Sequence, residues 1–348
     1  MTLPKQIVVL FNPWSQEDDV HFPDPAALDE YIDNEFGITY RGSSRGIQAV
    51  KWYWGQFDHN VVRVLLHQVN RLDERTRKDP ALVARFLTSA MTAQDTNPDG
   101  LMVGRWEGGY PGGTNPMAWI SSDQLISRYI AQGFQPVKYS QCWVFGAVLN
   151  TFLRAVGIPS RHESNFDSAH EYPKENGEFV QELYRYWDPW SRRMIAEIGQ
   201  IWNFHAWNGI WIKHKHTLPQ YQHQQWQKVD GTPQEQSGDR MQLGPAPIDA
   251  VRDMVKTTFD TSFVMSEVSA KIRNFNVRCP WLPAGKLKYL PQGCVILANL
   301  GTEARVPTGT MLVTKEPGKD KWKSNTINAL YHVRDTGAVV SSTFQEKK

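Results

Sequence analysis

The stretch that most constrains the fold is the apolar segment 137–159, VKYSQCWVFGAVLNTFLRAVGIP. Its apolar residues recur at the spacing of a helix, and they cover so much of its circumference that the helix should be buried. Gly157 and Pro159 predict where this helix ends. Cys142 then lies in the first turn, where unpaired backbone N–H groups and the helix dipole favour a thiolate over a thiol. The cysteine is therefore a candidate nucleophile, although a lone cysteine near a helix is more often a small buried hydrophobe.

Two strand-like segments downstream supply the partners that a nucleophilic thiol needs. In segment 201–212, apolar residues alternate with polar and aromatic ones, and His205 falls on the face opposite to its immediate neighbours. In segment 226–230, Asp230 is the last residue before a Gly-Thr-Pro turn. The polar linker between the segments is long enough to return the second strand antiparallel to the first, which would bring Asp230 beside His205. A cysteine, a histidine and an aspartate in this order resemble a papain-like site in outline.

Several sequence blocks resemble the signature blocks of animal transglutaminases, and they follow the family's order to about residue 272. These blocks are LFNPWSQEDDV, WGQF, GRWEGGYPGGTNPMAWISS, SQCWVFGAVLNTFLRAVGIPSR, SNFDSAHE, IWNFHAWN, VDGTPQEQS and FVMSEVSAKI. The resemblance implies an α+β, papain-like transglutaminase core, in which the helix bearing the nucleophile packs on an antiparallel sheet. It implies a catalytic core over 1–273 and a weakly matched end of that core over 274–348. The family's N-terminal β-sandwich and C-terminal β-barrels are not expected in this sequence.

The resemblance also implies an activity, that of a protein-glutamine γ-glutamyltransferase. Such an enzyme joins a protein glutamine to a lysine or another primary amine through a cysteine thioester and releases ammonia. The implied roles are Cys142 as nucleophile, His205 as base and Asp230 as the residue that orients the base. Trp119 is implied as an indole N–H donor to the oxyanion and, together with Trp202, as a wall of the tunnel by which the amine arrives.

Enzymes of this family depend on Ca²⁺, and the resemblance therefore implies calcium as a cofactor. Calcium requires six to eight oxygen ligands, several of them carboxylates. The loop that carries Asp95, Asn97 and Asp99 resembles one calcium site. A second loop keeps only Glu171 and Glu175 as acidic donors, so the ligand supply is partly eroded.

Periodicity predicts further elements around these blocks. Apolar residues at helical spacing predict helices over 60–72, 80–91 and 121–131, and a short helix over 247–256. The apolar and β-branched segment 263–272 reads as a strand.

Charge and hydropathy exclude several classes of partner. The chain carries 38 Lys and Arg against 36 Asp and Glu, so a net charge of +2 offers no field for nucleic acid or an anionic membrane. The apolar run near the N-terminus is too short for the core of a signal peptide, and no segment approaches a membrane span. We therefore expect a cytoplasmic protein, or an extracellular one that leaves the cell without a signal peptide.

Three cysteines argue against a disulfide framework, and their spacing matches no CxxC metal motif. A bridge between Cys279 and Cys294 is possible, but we expect free thiols.

Two other functions remain open at the level of the sequence. A structural or scaffolding relative would keep the fold without the chemistry, and the eroded calcium loops favour that interpretation. A papain-like thiol hydrolase or deamidase would use the same triad, since the triad alone does not separate amide transfer from hydrolysis.

Overall fold

A computed structural model describes most of the chain. The described residues are 11–93, 97–170, 172–173, 179–180, 182–234, 236–257, 259–303, 309, 311–318 and 324–326. The helices are α1 (Pro25–Leu28), α2 (His59–Val69), α3 (Glu74–Arg77), α4 (Pro80–Met91), α5 (Ser122–Ala131), α6 (Cys142–Ala155), α7 (Ile248–Arg252) and α8 (Thr261–Ser269). None of these described helices is long and apolar enough to cross a membrane.

The longer helices begin where the sequence supplies caps. Asp58 accepts hydrogen bonds from two backbone N–H groups in the first turn of α2. Asp79 caps α4 in the same way, and α4 starts with Pro80, which has no N–H to leave unpaired. The helices predicted over 60–72, 80–91 and 121–131 are confirmed, as is the helix that starts at the cysteine; the helix predicted over 247–256 is present but shorter.

The strands form one large sheet, one smaller sheet and several two-stranded pairs. In chain order the strands are β1 (Phe36–Ser43), β2 (Gly46–Tyr53), β3 (Met102–Gly104), β4 (Val137–Ser140), β5 (Ser160–His170), β6 (Tyr172–Pro173), β7 (Phe179–Val180), β8 (Glu182–Trp187), β9 (Met194–Ile198), β10 (Gln200–Lys213), β11 (Gln224–Asp230), β12 (Gln236–Ser237), β13 (Arg240–Met241), β14 (Leu243–Pro247), β15 (Lys271–Arg278), β16 (Val295–Glu303), β17 (Met311–Lys315) and β18 (Ser324–Thr326).

The large sheet has six strands in the order β14-β11-β10-β5-β17-β18, and every neighbouring pair in it is antiparallel. The smaller sheet has the order β16-β15-β8-β9, with β15 and β8 parallel. The predicted antiparallel return of the 226–230 strand onto the 201–212 strand is therefore confirmed.

Helix α6 is the centre of the main hydrophobic core. All of its residues from Cys142 to Arg154 are buried, and its apolar side chains share one cluster with Ala206, Ile210 and Ile212 of β10. The other face of the large sheet is covered by α7 and α8, which pack in a second cluster around Trp207. A helix bearing the cysteine thus packs on an antiparallel sheet, as the α+β prediction requires.

The prediction of a strand over 263–272 is wrong. Residues up to Ser269 form helix α8, and the strand β15 begins only at Lys271. Val264, Met265 and Val268 lie on one side of α8 and are buried in the cluster around Trp207. The short apolar run suits a strand or a buried helix equally well, and its helical packing partners are distant in sequence.

The expectation of free thiols at Cys279 and Cys294 is also wrong, because the structure joins them in a disulfide with a sulfur–sulfur distance of 2.04 Å. The cause is the register of the two strands that flank the loop. Arg278 pairs with Val295 at the end of the β15–β16 ladder. Cys279 follows Arg278 and Cys294 precedes Val295, so the two cysteines face each other just beyond this last pair.

A buried histidine links α6 to the sheet. His162, on β5, is 3 % exposed, and its ring stacks on Trp54 with centroids 6.2 Å apart. Gly146 of α6 passes so close that a Cβ there would lie 3.2 Å from the ring Nε2. Burial lowers the pKa of His162 to about 3, so the ring is neutral in the folded protein.

This neutral histidine predicts that the fold weakens in mild acid. Its pKa is lower folded than unfolded, so the unfolded chain binds more protons below about pH 6.5, and stability falls as the pH falls. Between pH 6.5 and 5.0 His162 should contribute a loss of about 2 kcal/mol in the free energy of unfolding. Urea denaturation at pH 7.5 and 5.0 measures this loss. The loss in the free energy of unfolding should be about 2 kcal/mol smaller in His162→Gln than in wild type. The surface control His59→Gln should show the same loss as wild type. An equal loss in wild type and His162→Gln would contradict the argument.

Candidate active site

Cys142 is held at the first turn of α6 by the strand and loop that precede it. Its neighbour Gln141 is the N-cap residue, and the Gln141 side-chain amide donates a 2.8 Å hydrogen bond to the carbonyl oxygen of Arg105. The Arg105 N–H in turn donates to the carbonyl oxygen of Ser140. The sulfur of Cys142 accepts from two backbone N–H groups, those of Ala206 and Trp143, and the residue is only 4 % exposed.

The Ala206 N–H reaches the sulfur because of how β10 is paired. β10 pairs with β5 along nearly its whole length, from Gln200 to Ile210. Its pairing with β11 on the other edge begins only at Asn208. Residues of β10 before Asn208 therefore have an open edge on the side of β11, and the head of α6 fills that edge.

His205 and Asp230 are in direct contact. The Nε2 atom of His205 lies 2.6 Å from Oδ2 of Asp230, and both side chains are buried. Asn208 pairs with Val229 in the β10–β11 ladder. His205 and Asp230 are therefore diagonal neighbours on one face of that ladder. The predicted placement of Asp230 beside His205 is confirmed.

The carboxylate of Asp230 is fixed from several sides. Its Oδ1 accepts from the Thr232 N–H at 2.8 Å, and its Oδ2 accepts from the side-chain amide of Gln234 at 2.8 Å. Nδ1 of His205 is buried and has no hydrogen-bond partner among the described residues. With Nε2 in contact with Asp230, Nδ1 is the ring nitrogen left to take up a proton.

Burial dominates the electrostatics of the site. It raises the pKa of Cys142 to about 12, with a further contribution from Asp230, while the Ala206 and Trp143 N–H groups and Arg41 act in the opposite direction. Burial also lowers the pKa of His205, and attraction to Asp230 only partly offsets this. The N–H groups at the head of the helix favour a thiolate, but burial outweighs them. The resting pair is a neutral thiol beside a neutral imidazole.

Asp230 remains ionised in spite of its burial. Desolvation by itself would raise its pKa, but attraction to His205 and Lys228 and the hydrogen bonds that it accepts outweigh this, so its pKa is lowered. The carboxylate can therefore stabilise an imidazolium when His205 takes up a proton.

The two tryptophans singled out from the sequence occupy different environments. Trp119 is buried, and its indole N–H donates a 2.9 Å hydrogen bond to the carbonyl oxygen of Tyr139. The oxyanion role implied for Trp119 requires this N–H to leave that carbonyl. Trp202 lies directly at the site, because its ring meets His205 edge-on at 5.2 Å and stacks on His170 at 4.9 Å.

A third tryptophan near Cys142 was not singled out from the sequence. Trp106 is 46 % exposed and its ring stacks on Phe145 of α6, with centroids 6.4 Å apart. It follows Arg105, which bonds to the residues before Cys142, so the exposed indole lies beside the head of α6. The signal was available in the block GRWEGGYPGG, where glycines surround two large aromatic residues, Trp106 and Tyr110.

Two charged residues behind the histidine were also missed. Lys228, on β11, and Glu267, on α8, are fully buried and form an ion pair. Oε1 of Glu267 lies 3.5 Å from Nε2 of His205. Sequence reasoning could not find this pair, because it placed the residues around Glu267 in a strand.

The residues expected to bind calcium do not form a cation site where they are described. Asp99 is ion-paired with Arg71 at 3.2 Å. The side-chain amide nitrogen of Asn97 donates to backbone carbonyls at the end of α4. Arg71 is paired with the one described carboxylate, so Asp99 and Asn97 do not by themselves form a calcium site, and no step of the chemistry is assigned to a calcium ion. The other three expected ligands lie outside the described residues; they are Asp95, Glu171 and Glu175.

A thiol at the head of a buried helix, beside a histidine and an aspartate on paired strands, defines the papain-like class of thiol sites. Comparison with known proteins narrows this class. Residues 121–231 match the profile described as the transglutaminase-like superfamily. The chain is 36 % identical over 273 residues to human protein-glutamine gamma-glutamyltransferase E, a match that covers 76 % of this chain and 38 % of that protein.

Two further relatives extend the match. The chain is 33 % identical over 307 residues to chicken protein-glutamine gamma-glutamyltransferase 2, covering 85 % of this chain and 43 % of the relative. It superposes on the crystal structure of red sea bream transglutaminase with a TM-score of 0.75 at 29 % identity, covering 94 % of this chain and 47 % of that one. The chain belongs to the transglutaminase family, and it spans less than half the length of these relatives.

The hydrogen bond of Trp119 leads to a prediction that separates packing from catalysis. Trp119→Phe should lower the free energy of unfolding by about 1 kcal/mol, because it leaves the Tyr139 carbonyl unpaired. Acylation of Cys142 by p-nitrophenyl acetate should slow less than about threefold. Loss of a true oxyanion donor would instead slow it about 10² to 10³-fold. Stopped-flow acylation and urea denaturation measure the two quantities, and a hundredfold slower acylation at unchanged stability would refute the prediction.

Proposed function

We propose that this chain is a protein-glutamine γ-glutamyltransferase that links a glutamine side chain of one protein to a primary amine, such as a lysine of another. The observation that carries the proposal is the 2.6 Å contact between His205 and Asp230, on a histidine whose chain neighbour Ala206 donates its N–H to the buried Cys142 sulfur. The names of the relatives, protein-glutamine gamma-glutamyltransferases, support the same chemistry.

In the first half of the reaction, Nδ1 of His205 takes the proton of the Cys142 thiol. The sulfur attacks the γ-carboxamide carbon of the glutamine, and a tetrahedral oxyanion forms. His205 then returns the proton to the departing nitrogen, the carbon–nitrogen bond breaks and ammonia leaves. A thioester to Cys142 remains, and Asp230 holds the imidazole in the orientation that both proton transfers need.

In the second half, an uncharged primary amine attacks the thioester carbon. His205 takes a proton from the attacking nitrogen and delivers it to the sulfur as the carbon–sulfur bond breaks. The products are an isopeptide bond and the original thiol. Water in place of the amine gives glutamate, so the site must favour the amine over water, and the small exposed fraction of Cys142 serves that purpose.

Trp202 supports the choice of amine over water. Its indole lies against His205 and is partly exposed, so it forms an apolar wall beside the base. An apolar wall holds a neutral amine with its alkyl chain better than it holds water. We assign Trp202 to the amine side of the site on this ground.

The proposal predicts incorporation of dansylcadaverine into dimethylcasein, which fluorescence in a protein gel measures. Wild type should incorporate the amine, and Cys142→Ala should not, because it removes the sulfur that carries the acyl group. Ammonia release is followed in parallel. Ammonia without amine incorporation would identify a hydrolase or deamidase, and neither product at any calcium concentration would identify a scaffolding protein. Either result would refute the transferase.

If Asp230 orients the base, replacing its carboxylate with a neutral amide should lower kcat strongly. Asp230→Asn should lower kcat by about 10⁴-fold, because an amide stabilises neither the tautomer nor the imidazolium that the reaction needs. The matched control is Asp249→Asn, which breaks a contact of a carboxylate with a histidine at the surface, His223. Asp249→Asn should leave kcat unchanged. Comparable losses in the two variants would contradict the role of Asp230.

For calcium we propose weak binding at the loop that carries Asp99, because Arg71 already neutralises this carboxylate. Isothermal titration should give a Kd of about 10⁻³ M or weaker for that loop. Arg71→Ala should tighten the binding several-fold, and Arg75→Ala on the neighbouring helix should not change it. Micromolar binding by the wild type that Arg71→Ala leaves unchanged would refute this account.

A further inference from the structure

A buried ion pair lies immediately behind the proposed base. Lys228 is 0 % exposed and Glu267 is 1 % exposed, and the Lys228 ammonium contacts Oε2 of Glu267. The same ammonium lies 3.9 Å from the centroid of the Trp207 ring, which is a favourable cation–π position. Lys228 is two residues before Asp230 on β11, so both side chains project from the same face of the sheet as His205.

The position of Glu267 creates a conflict that Lys228 resolves. Two buried carboxylates face one nitrogen of His205, since Asp230 is 2.6 Å and Glu267 is 3.5 Å from Nε2. Two carboxylates that share a buried site cannot both ionise without a cation, and one of them then takes up a proton. Without the ammonium, the second carboxylate would also compete with Asp230 for the Nε2–H of the ring.

We propose that Lys228 is a positioning residue of this site: its ammonium holds Glu267 away from the imidazole, so that Asp230 alone orients His205. The proposal rests on the proposed function for its meaning in catalysis, but its geometry does not depend on the reaction. Lys228 touches no reacting atom. It acts on the base through Glu267.

The charges around His205 determine the direction in which its pKa should change when Lys228 is removed. The polar groups that face His205 are the carboxylates of Asp230 and Glu267, the ammonium of Lys228, the amide of Gln234, and the rings of His162 and His170. The Cys142 sulfur contacts the N–H of the next residue along the chain, Ala206. Lys228 lowers the pKa of His205. Its removal takes away a positive charge and leaves Glu267 unneutralised, and both changes raise the pKa of His205.

A metal ion is a less suitable occupant of the same cluster. The nitrogen of His205 and the carboxylate oxygens of Asp230 and Glu267 lie within 4.8 Å of one another, which is close enough to share an ion. Lys228 already supplies a positive charge to that cluster. An added cation would have to separate both the Lys228–Glu267 pair and the His205–Asp230 contact.

The test uses four variants of the full chain: Lys228→Met, Lys228→Arg, Glu267→Gln, and the double variant Lys228→Met/Glu267→Gln. Cys279 and Cys294 are joined in a disulfide, so Cys142 is the one free thiol of the three cysteines. Its alkylation by iodoacetamide can therefore be followed from pH 5 to 9 without any transferase assay. The rate of alkylation should rise with pH, and the pH at which it reaches half of its maximum, called the midpoint below, reports deprotonation of His205.

Lys228→Met should raise this midpoint by about 0.5 to 1 pH unit, and should therefore lower the rate of alkylation at a pH below the wild-type midpoint about threefold to tenfold. Lys228→Arg should keep the wild-type midpoint. The double variant should return the midpoint to the wild-type value, because without the Glu267 charge the ammonium is no longer needed. Urea denaturation of each variant ensures that rates are compared at equal folded fractions.

Two outcomes would overturn the proposal. Lys228→Met with a wild-type midpoint would show that the ion pair only stabilises the fold. A double variant that stays as shifted as Lys228→Met would show that Lys228 does not act through Glu267. If the wild type incorporates no amine but the midpoints shift as described, the proposed function fails while the role of Lys228 stands.

Discussion

The contact between the Cys142 sulfur and the open edge of β10 determines the whole site. The sulfur accepts the N–H of Ala206, which is the neighbour of His205 along the chain, so one strand positions both the proposed nucleophile and the proposed base. This contact is possible because α6 is buried along nearly its whole length and cannot shift without breaking the main core. Positioning errors of about 1 Å slow catalysis about a hundredfold, and burial of α6 is what prevents them.

The same burial decides the protonation state of the resting site. Removal from water disfavours the thiolate by more than the helix N-terminus and the two N–H groups favour it, so the pKa of Cys142 rises to about 12. Burial likewise keeps His205 neutral, in spite of its contact with Asp230. A neutral pair is less reactive towards water and oxidants than a thiolate. The proposed reaction therefore begins with a proton transfer from the buried thiol to the buried imidazole.

Most of the elements that carry the site could be predicted from the sequence. The periodicities around Cys142, His205 and Asp230 are local properties, and the structure confirms a helix, two strands and their antiparallel pairing. Helix α8 could not be predicted, because its apolar run fits a strand as well as a helix and only its packing in the cluster around Trp207 decides between them. The disulfide likewise depends on the register of β15 against β16, which spacing alone does not give.

The arrangement of charges around the two reacting groups explains how a neutral pair can become an active one. Arg41 favours the charged form of Cys142, while the carboxylates of Asp230 and Glu267 lie on the far side of His205. Moving the proton from sulfur to imidazole therefore creates a negative charge on the side of a cation and a positive charge beside two anions. Inside a dry site such fixed charges act more strongly than in water and need no reorganisation. Lys228 limits this effect, because it cancels one carboxylate and so keeps the imidazole from holding a proton permanently.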